Sequence, residues 1–137
     1  MNKQASLDRV FSELDHARLF KLSDAHVAPD GSLPPLFDLL DEGGVIPPRQ
    51  IPPDVVTMHS RVLVTDEQGE QREITLCYPH EADLAAGKYS VLSPIGTALL
   101  GMRARSSTQY RTPNGKTVLL RIDAIRFQPE AWGNYLL

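Results

Sequence analysis

Residues 90–101 read SVLSPIGTALLG, and how this stretch folds decides the rest of the chain. A short apolar run meets a Ser-Pro pair, and a small-residue segment follows that closes on glycine. Ser93 suits the N-cap of a helix, where its hydroxyl accepts from an early amide, and Pro94 suits the first helical position. Ile95, Ala98 and Leu99 form one apolar stripe, and Gly101 fits the left-handed position just past a helix end. The segment therefore predicts a strand-to-helix corner in which every residue has a structural task. A nucleophilic serine elbow needs GxSxG, which is absent, and no aspartate–histidine set accompanies Ser93. The loop also lacks the glycines that let a backbone cradle phosphate.

Downstream of the corner, Thr108 to Thr112 and Thr117 to Phe127 read as two strands around Pro113-Asn114-Gly115. Asn-Gly is a strong hairpin signal because both residues tolerate positive φ. Val118, Leu120, Ile122 and Ala124 alternate inward. The ending, QPEAWGNYLL (128–137), is apolar enough to pack down and leaves dimerisation open.

Upstream, Val56, Met58, Val62 and Val64 share one face of a predicted strand, with Thr57, His59, Arg61 and Thr65 on the solvent face. DEQG (66–69) supplies a turn, and Ile74, Leu76 and Tyr78 mark a second strand. Pro79 to Gly87 reads as a loop. Before the sheet, VIPPRQIPPD (45–54) holds four prolines and predicts a stiff extended linker.

The amino-terminal part reads as helical. Leu7, Val10, Phe11 and Leu14 recur at helical spacing behind a Ser6 cap, which predicts a helix of about 17 residues reaching roughly 25 Å. Leu33, Leu36, Phe37 and Leu40 predict a shorter second helix, capped by Ser32, with Pro34 and Pro35 in its first turn and Gly43-Gly44 at its end. Together these make a short antiparallel helical hairpin, with Asp24 and Asp30 at its tip. The expected class is α+β, with the hairpin over residues 1–46 and an antiparallel sheet domain with one short helix over 47–137.

Composition narrows the function. The chain has 137 residues, a formal net charge of −3 and a single cysteine, Cys77. One cysteine rules out an internal disulfide framework and suits a reducing cytoplasm. The amino terminus has no signal-peptide pattern, and no run of apolar residues is long enough to span a membrane. The net acidity argues against coating duplex DNA by charge alone. Positive charge nevertheless collects late in the chain: residues 91–137 carry Arg103, Arg105, Arg111, Lys116, Arg121 and Arg126 against Asp123 and Glu130. Such asymmetry suits a docking face as well as an ordinary solvated strand surface. His80, Glu81 and Asp83 are the tightest group of metal-ligand types, but they sit in a polar loop with no cysteine or second histidine beside them. Asp38, Asp41 and Glu42 diverge around a helix and read as a solvated face. No catalytic residue, metal, cofactor or small-molecule substrate is expected.

IPPDVVTMHSRV (51–62), YSVLSPIGTALLG (89–101), TPNG (112–115) and QPEAWGNYLL (128–137) together resemble the GreA/GreB transcription elongation factor family. The resemblance implies an FKBP-like carboxy-terminal α+β domain and a cytoplasmic protein that binds RNA polymerase at the rim of its secondary channel. It places the polymerase contact on Leu92, Ser93 and Pro94, with Arg103 and Arg105 adding positive charge beside them. Leu92 stands where Gre factors carry a polar or acidic residue, and Arg105-Ser106 stands where relatives often have Gly-Asp. Gre factors also carry a long coiled coil whose acidic tip holds magnesium for transcript cleavage. The hairpin here is too short for that reach, which implies polymerase binding without cleavage and without sequence-specific nucleic acid recognition. The alternatives are Gre-like cleavage through Asp24 or Asp30, and peptidyl-prolyl isomerisation on an FKBP-like fold. The latter needs an aromatic-lined pocket that four phenylalanines and one tryptophan supply poorly.

Overall fold

The computed structural model describes residues 9–134. Two short strands frame the hairpin: β1 (Val10–Ser12) pairs in parallel with β2 (Gly44–Ile46), and between them lie helices α1 (Glu13–Ala25) and α2 (Pro35–Glu42). The main sheet follows, built from β3 (Arg61–Asp66), β4 (Gln71–Cys77), β5 (Lys88–Ser90), β6 (Ser107–Arg111) and β7 (Thr117–Phe127). Its order is β5-β4-β3-β7-β6, antiparallel except for the parallel β4–β5 pair. The one short helix of this part, α3 (Pro94–Leu99), connects β5 to β6. The architecture is the expected α+β arrangement. No helix among the described residues is long and apolar enough to cross a membrane.

The hairpin is shorter than its periodicity suggests. Val10 and Phe11 belong to β1 rather than to a helix, and the helix cap is Ser12, whose hydroxyl accepts from the Asp15 amide at 3.0 Å. The Ser6 and Leu7 expectations lie outside the described residues. At about 1.5 Å per residue, the 13 residues of α1 reach only about 20 Å. Ser32 does not cap α2; its amide and hydroxyl instead bind the Asp30 carboxylate, and Pro34 holds the cap position. In both cases pairing or turn chemistry available nearby overrides helical spacing.

The proline segment is not a free linker. Gly44–Ile46 is β2, Pro48–Gln50 is a 3₁₀ turn and Ile51 is buried. The side-chain amide of the buried Gln128 donates to the carbonyls of Pro52 (2.8 Å) and Val55 (2.7 Å), stitching this segment to the chain's end. Gln128 and Pro129 are buried as expected of the ending, whereas Trp132 is exposed and packs only partly on Phe127.

Residues 56–60 are likewise not strand. They form a tight turn in which His59 adopts φ 68°, and β3 begins only at Arg61. Val56 and Met58 still enter the core, but Thr57 is buried rather than solvent-facing. Around the 112–116 turn only Gly115 takes positive φ, so the loop is longer than a two-residue Asn-Gly turn.

One apolar cluster joins both parts of the molecule. Phe11, Leu19, Leu36 and Leu40 of the hairpin pack with Val56, Met58, Val62, Val64, Ile74, Leu76, Val91, Ile95, Leu99, Leu120 and Ile122. A polar seam lies beside it. The carboxylate of Asp15, only 3% exposed, accepts the Met58 amide at 3.1 Å, and the Thr57 hydroxyl donates to Glu130 at 2.8 Å. Burial pushes the Asp15 carboxyl up to about 7; the Met58 amide and Arg18 oppose the shift, while Glu130 reinforces it.

The consequence has a definite sign. The folded protein holds a proton on Asp15 up to about pH 7, whereas the unfolded chain releases it near the ordinary aspartate value of 3.8. Stability from this group is therefore full below that lower value and declines as pH rises toward 7, by up to about 4 kcal/mol. Asp15→Asn keeps an acceptor for Met58 and removes the charge. In urea titrations, the variant is expected to gain on the wild type as pH goes from 4 to 8. A pH-independent difference contradicts this reading of the seam.

Candidate docking site

The corner at Ser93 is built from backbone bonds outward. The Val91 amide donates to the Cys77 carbonyl at 2.8 Å, fixing the end of the β5 segment against β4. The Ser90 carbonyl then receives the Ser93 amide (3.0 Å) and the Ser93 hydroxyl (2.7 Å). The same hydroxyl accepts the Gly96 amide at 3.1 Å and so caps α3, with Pro94 as its first residue. Leu92 donates its amide to the Ser90 hydroxyl (3.0 Å), and the Thr97 hydroxyl donates to the Val91 carbonyl (2.7 Å). The serine proton is thus committed to a carbonyl, and the site is a rigid turn rather than a nucleophile.

Gly96 lets the turn close this tightly. A Cβ there would run into the Ser90 carbonyl oxygen and stand 3.0 Å from the Val91 Cα, both backbone atoms that cannot step aside. Gly101, at φ +78°, ends the helix as expected, and its amide donates to the Val56 carbonyl at 2.8 Å.

The surface of the corner is mixed. Pro94 is exposed, and Leu92 and Ser93 are half-buried. Leu92 and Pro94 form one wall of a groove of about 370 Å³, completed by Thr97 and Ala98 of α3, Pro35 and Leu39 of α2, Arg9, and Gln109, Tyr110 and Arg111 of β6. The groove is mainly apolar, and among the described residues its charged lining is Arg9 and Arg111. Arg9 donates to the carbonyls of Thr97 (3.0 Å) and Leu100 (2.8 Å), satisfying acceptors that the end of α3 leaves open. Burial lowers its pKa to about 10.

Of the residues singled out in the sequence, Leu92, Ser93 and Pro94 come together here. Arg103 and Arg105 follow α3 in the chain but do not line the groove. Arg103 pairs with Asp54 at 3.3 Å, and Arg105 sits exposed at φ 66° with its amide on the Ile122 carbonyl. The positive charge of the groove comes instead from Arg9 and Arg111. Sequence spacing gave no sign of Arg9, which lies more than 80 residues from the corner; Arg111 was visible only as one of a basic group.

At the far end of the hairpin, Asp24 is exposed in the last turn of α1, and Asp30 is tied into its own turn. The hydrogen bonds from the Ser32 hydroxyl and amide hold the Asp30 carboxyl below its usual range. Val27 and Leu33 are exposed beside them, so the tip is apolar as well as acidic. Among the described residues, no three His, Cys, Asp or Glu side chains gather as metal ligands. Glu81, counted in sequence with His80 and Asp83, accepts from Tyr78 and bonds His59 at 2.9 Å, and His59 is half-buried rather than on a solvent face. Cys77 is buried, and burial raises its thiol pKa.

The family model for the carboxy-terminal region of the transcription elongation factors GreA/GreB matches residues 51–127. The chain belongs to the GreA/GreB family. Within it, the chain is 40% identical over 99 residues to the regulator of nucleoside diphosphate kinase of Escherichia coli K12, covering 72% of this chain and 73% of that one. It is also 30% identical over 134 residues to transcription elongation factor GreA of Rhodospirillum rubrum, covering 93% and 85% of the two chains. The solved structure of a GreA/GreB elongation factor from Nitrosomonas europaea matches with a TM-score of 0.71 at 33% identity, over 88% of this chain and 98% of that one.

Two substitutions measure the corner. Gly96→Ala is expected to destabilise the fold by about 3 kcal/mol, because the added methyl meets main chain. Ser93→Ala removes the cap and is expected to cost about 1 kcal/mol. Chemical denaturation reads both; a Gly96→Ala variant as stable as the wild type would show a looser corner than described.

Proposed function

We propose that this chain is a non-enzymatic regulator of transcription that docks on RNA polymerase at the entrance of its secondary channel and does not stimulate transcript cleavage. The observation that carries the reading is the corner itself. Leu92, Ser93 and Pro94 are held rigid by a closed set of backbone bonds and stand at the rim of a groove with positive charge. A rigid exposed turn loses little entropy when a partner grips it, which favours binding. Membership of the elongation-factor family supplies the partner class, RNA polymerase. Arg103 and Arg105 would contribute long-range attraction near the corner rather than contacts inside the groove.

The absence of cleavage follows from reach. Of the two helices, α1 has 13 residues and α2 has 8, so the hairpin is a stub of about 20 Å. Asp30, the carboxylate at its turn, is already engaged by Ser32. In this reading Asp24, Asp30 and the apolar Val27 and Leu33 occupy the channel mouth, where they would compete with longer-hairpin relatives. Isomerase activity is disfavoured because, among the described residues, Tyr110 is the one aromatic side chain lining the groove.

Retention of purified RNA polymerase on the immobilised protein tests the docking step. Wild type is expected to retain it at low and moderate salt, and Ser93→Glu/Pro94→Ala is expected to bind at least about tenfold more weakly. Arrested elongation complexes are expected to show no added transcript cleavage. Failure of the wild type to bind removes the docking reading, and stimulated cleavage restores the Gre-like alternative.

A further inference from the structure

Strand β6 ends the sheet, with β7 on one side and no other strand among the described residues on its outer side. Its register with β7 is continuous from Ser107↔Arg121 to Arg111↔Thr117, without a bulge. The bonds from Ile122 to the Ser106 carbonyl and from Thr112 to the Lys116 carbonyl fix which residues face β7. Antiparallel pairing alternates, so Thr108 and Tyr110 spend their backbone groups on β7, while Ser107, Gln109 and Arg111 direct theirs outward. Natural sheets usually blunt such an edge with a proline, a bulge or a covering segment. Here the edge is regular and carries no proline.

The groove lies along this edge. Gln109, Tyr110 and Arg111 all line it, although successive side chains of a strand point to opposite faces. A groove reached by three consecutive residues runs beside the strand rather than over one face. Its far wall is apolar, from Leu39, Leu92 and Pro94, and its charged groups among the described residues are Arg9 and Arg111.

We infer that β6 and the groove together accept an extended, acidic segment of a partner protein, which adds as a further strand against the outward groups of Ser107, Gln109 and Arg111. Main-chain bonds give such an addition its affinity, and alternate side chains give it selectivity. An apolar side chain would enter between Leu92 and Tyr110, and carboxylates would meet Arg111 and the rim of Arg9. The charge favours an acidic partner over a second copy of this chain, whose own β6 edge, STQYR, would bring a further arginine and no acidic side chain. The inference rests on the docking reading only in that RNA polymerase would supply the segment.

Gln109→Pro is the discriminating variant. It removes one outward donor, leaves the donors facing β7 intact, and sits where an edge strand tolerates proline. Gln109→Ala removes the side chain but keeps the donor. The expected result is that Gln109→Pro binds polymerase about tenfold more weakly than Gln109→Ala, with the circular dichroism of both unchanged. Equal binding by Gln109→Pro, with binding still lost in Ser93→Glu/Pro94→Ala, overturns strand addition and leaves docking standing, as for a helical partner. A titration without polymerase decides the edge independently. A peptide of alternating glutamate and valine is expected to shift the amide resonances of Ser107, Gln109 and Arg111, and a lysine–valine peptide is not. No shift at these amides, equal shifts from both peptides, or self-association of the free protein that Gln109→Pro abolishes would each refute the inference.

Discussion

The seating of Phe11 is the contact on which the rest depends. Its ring fills a notch between Gly43 and Gly101: a Cβ at Gly43 would collide with it, and one at Gly101 would stand 2.7 Å from the ring. Burying a phenylalanine contributes about 2–3 kcal/mol, but the position matters more than the sum. Gly43 ends α2 and Gly101 follows α3, so one side chain locks the root of the hairpin to the end of the corner helix. The Val10 amide on the Gly101 carbonyl (3.2 Å) and the Gly44 amide on the Arg9 carbonyl (2.9 Å) repeat the connection through the backbone. Arg9 completes it by holding the carbonyls of Thr97 and Leu100. The hairpin and the corner are therefore oriented by the same few atoms.

A second tie, the polar seam of Asp15, Met58, Thr57 and Glu130, joins α1, the 56–60 turn and the chain's end. Apolar packing alone leaves some freedom to slide, whereas a buried carboxylate accepting one particular amide does not. Phe11 therefore anchors the root of the hairpin, Leu19, Leu36 and Leu40 add to its cohesion with the sheet, and Asp15 fixes their register.

Local grammar was legible in the sequence, and long-range pairing was not. The Ser93-Pro94 corner could be read because a cap, a proline and a terminal glycine act within nine residues. The strands β4, β6 and β7 could be read because alternation is local. Val10 and Phe11 were misread as helix because nothing near them signals a parallel partner more than 30 residues away. In the 56–60 segment Val56 and Met58 are buried as their spacing suggests, but Thr57 and Ser60 are buried beside them, because a turn packed into the core buries side chains on both sides. The prolines of 45–54 suggested a free linker, but the buried Gln128 ties them down from the opposite end of the chain. Of the candidate site, the corner was visible, whereas the groove depends on Arg9, Leu39 and Tyr110 from three distant parts of the chain.

Under the proposed function, the corner is the gripping end and the short hairpin the reaching end. The corner is rigid, its groove carries Arg9 and Arg111, and the hairpin is tied to both. The most direct test is site-specific photo-crosslinking to RNA polymerase from two positions. Leu92 lies at the corner, whereas the exposed Leu84 precedes β5, at the opposite edge of the sheet from β6. The account predicts crosslinks to polymerase from Leu92 and none from Leu84. Crosslinks from Leu84 with none from Leu92 would contradict it.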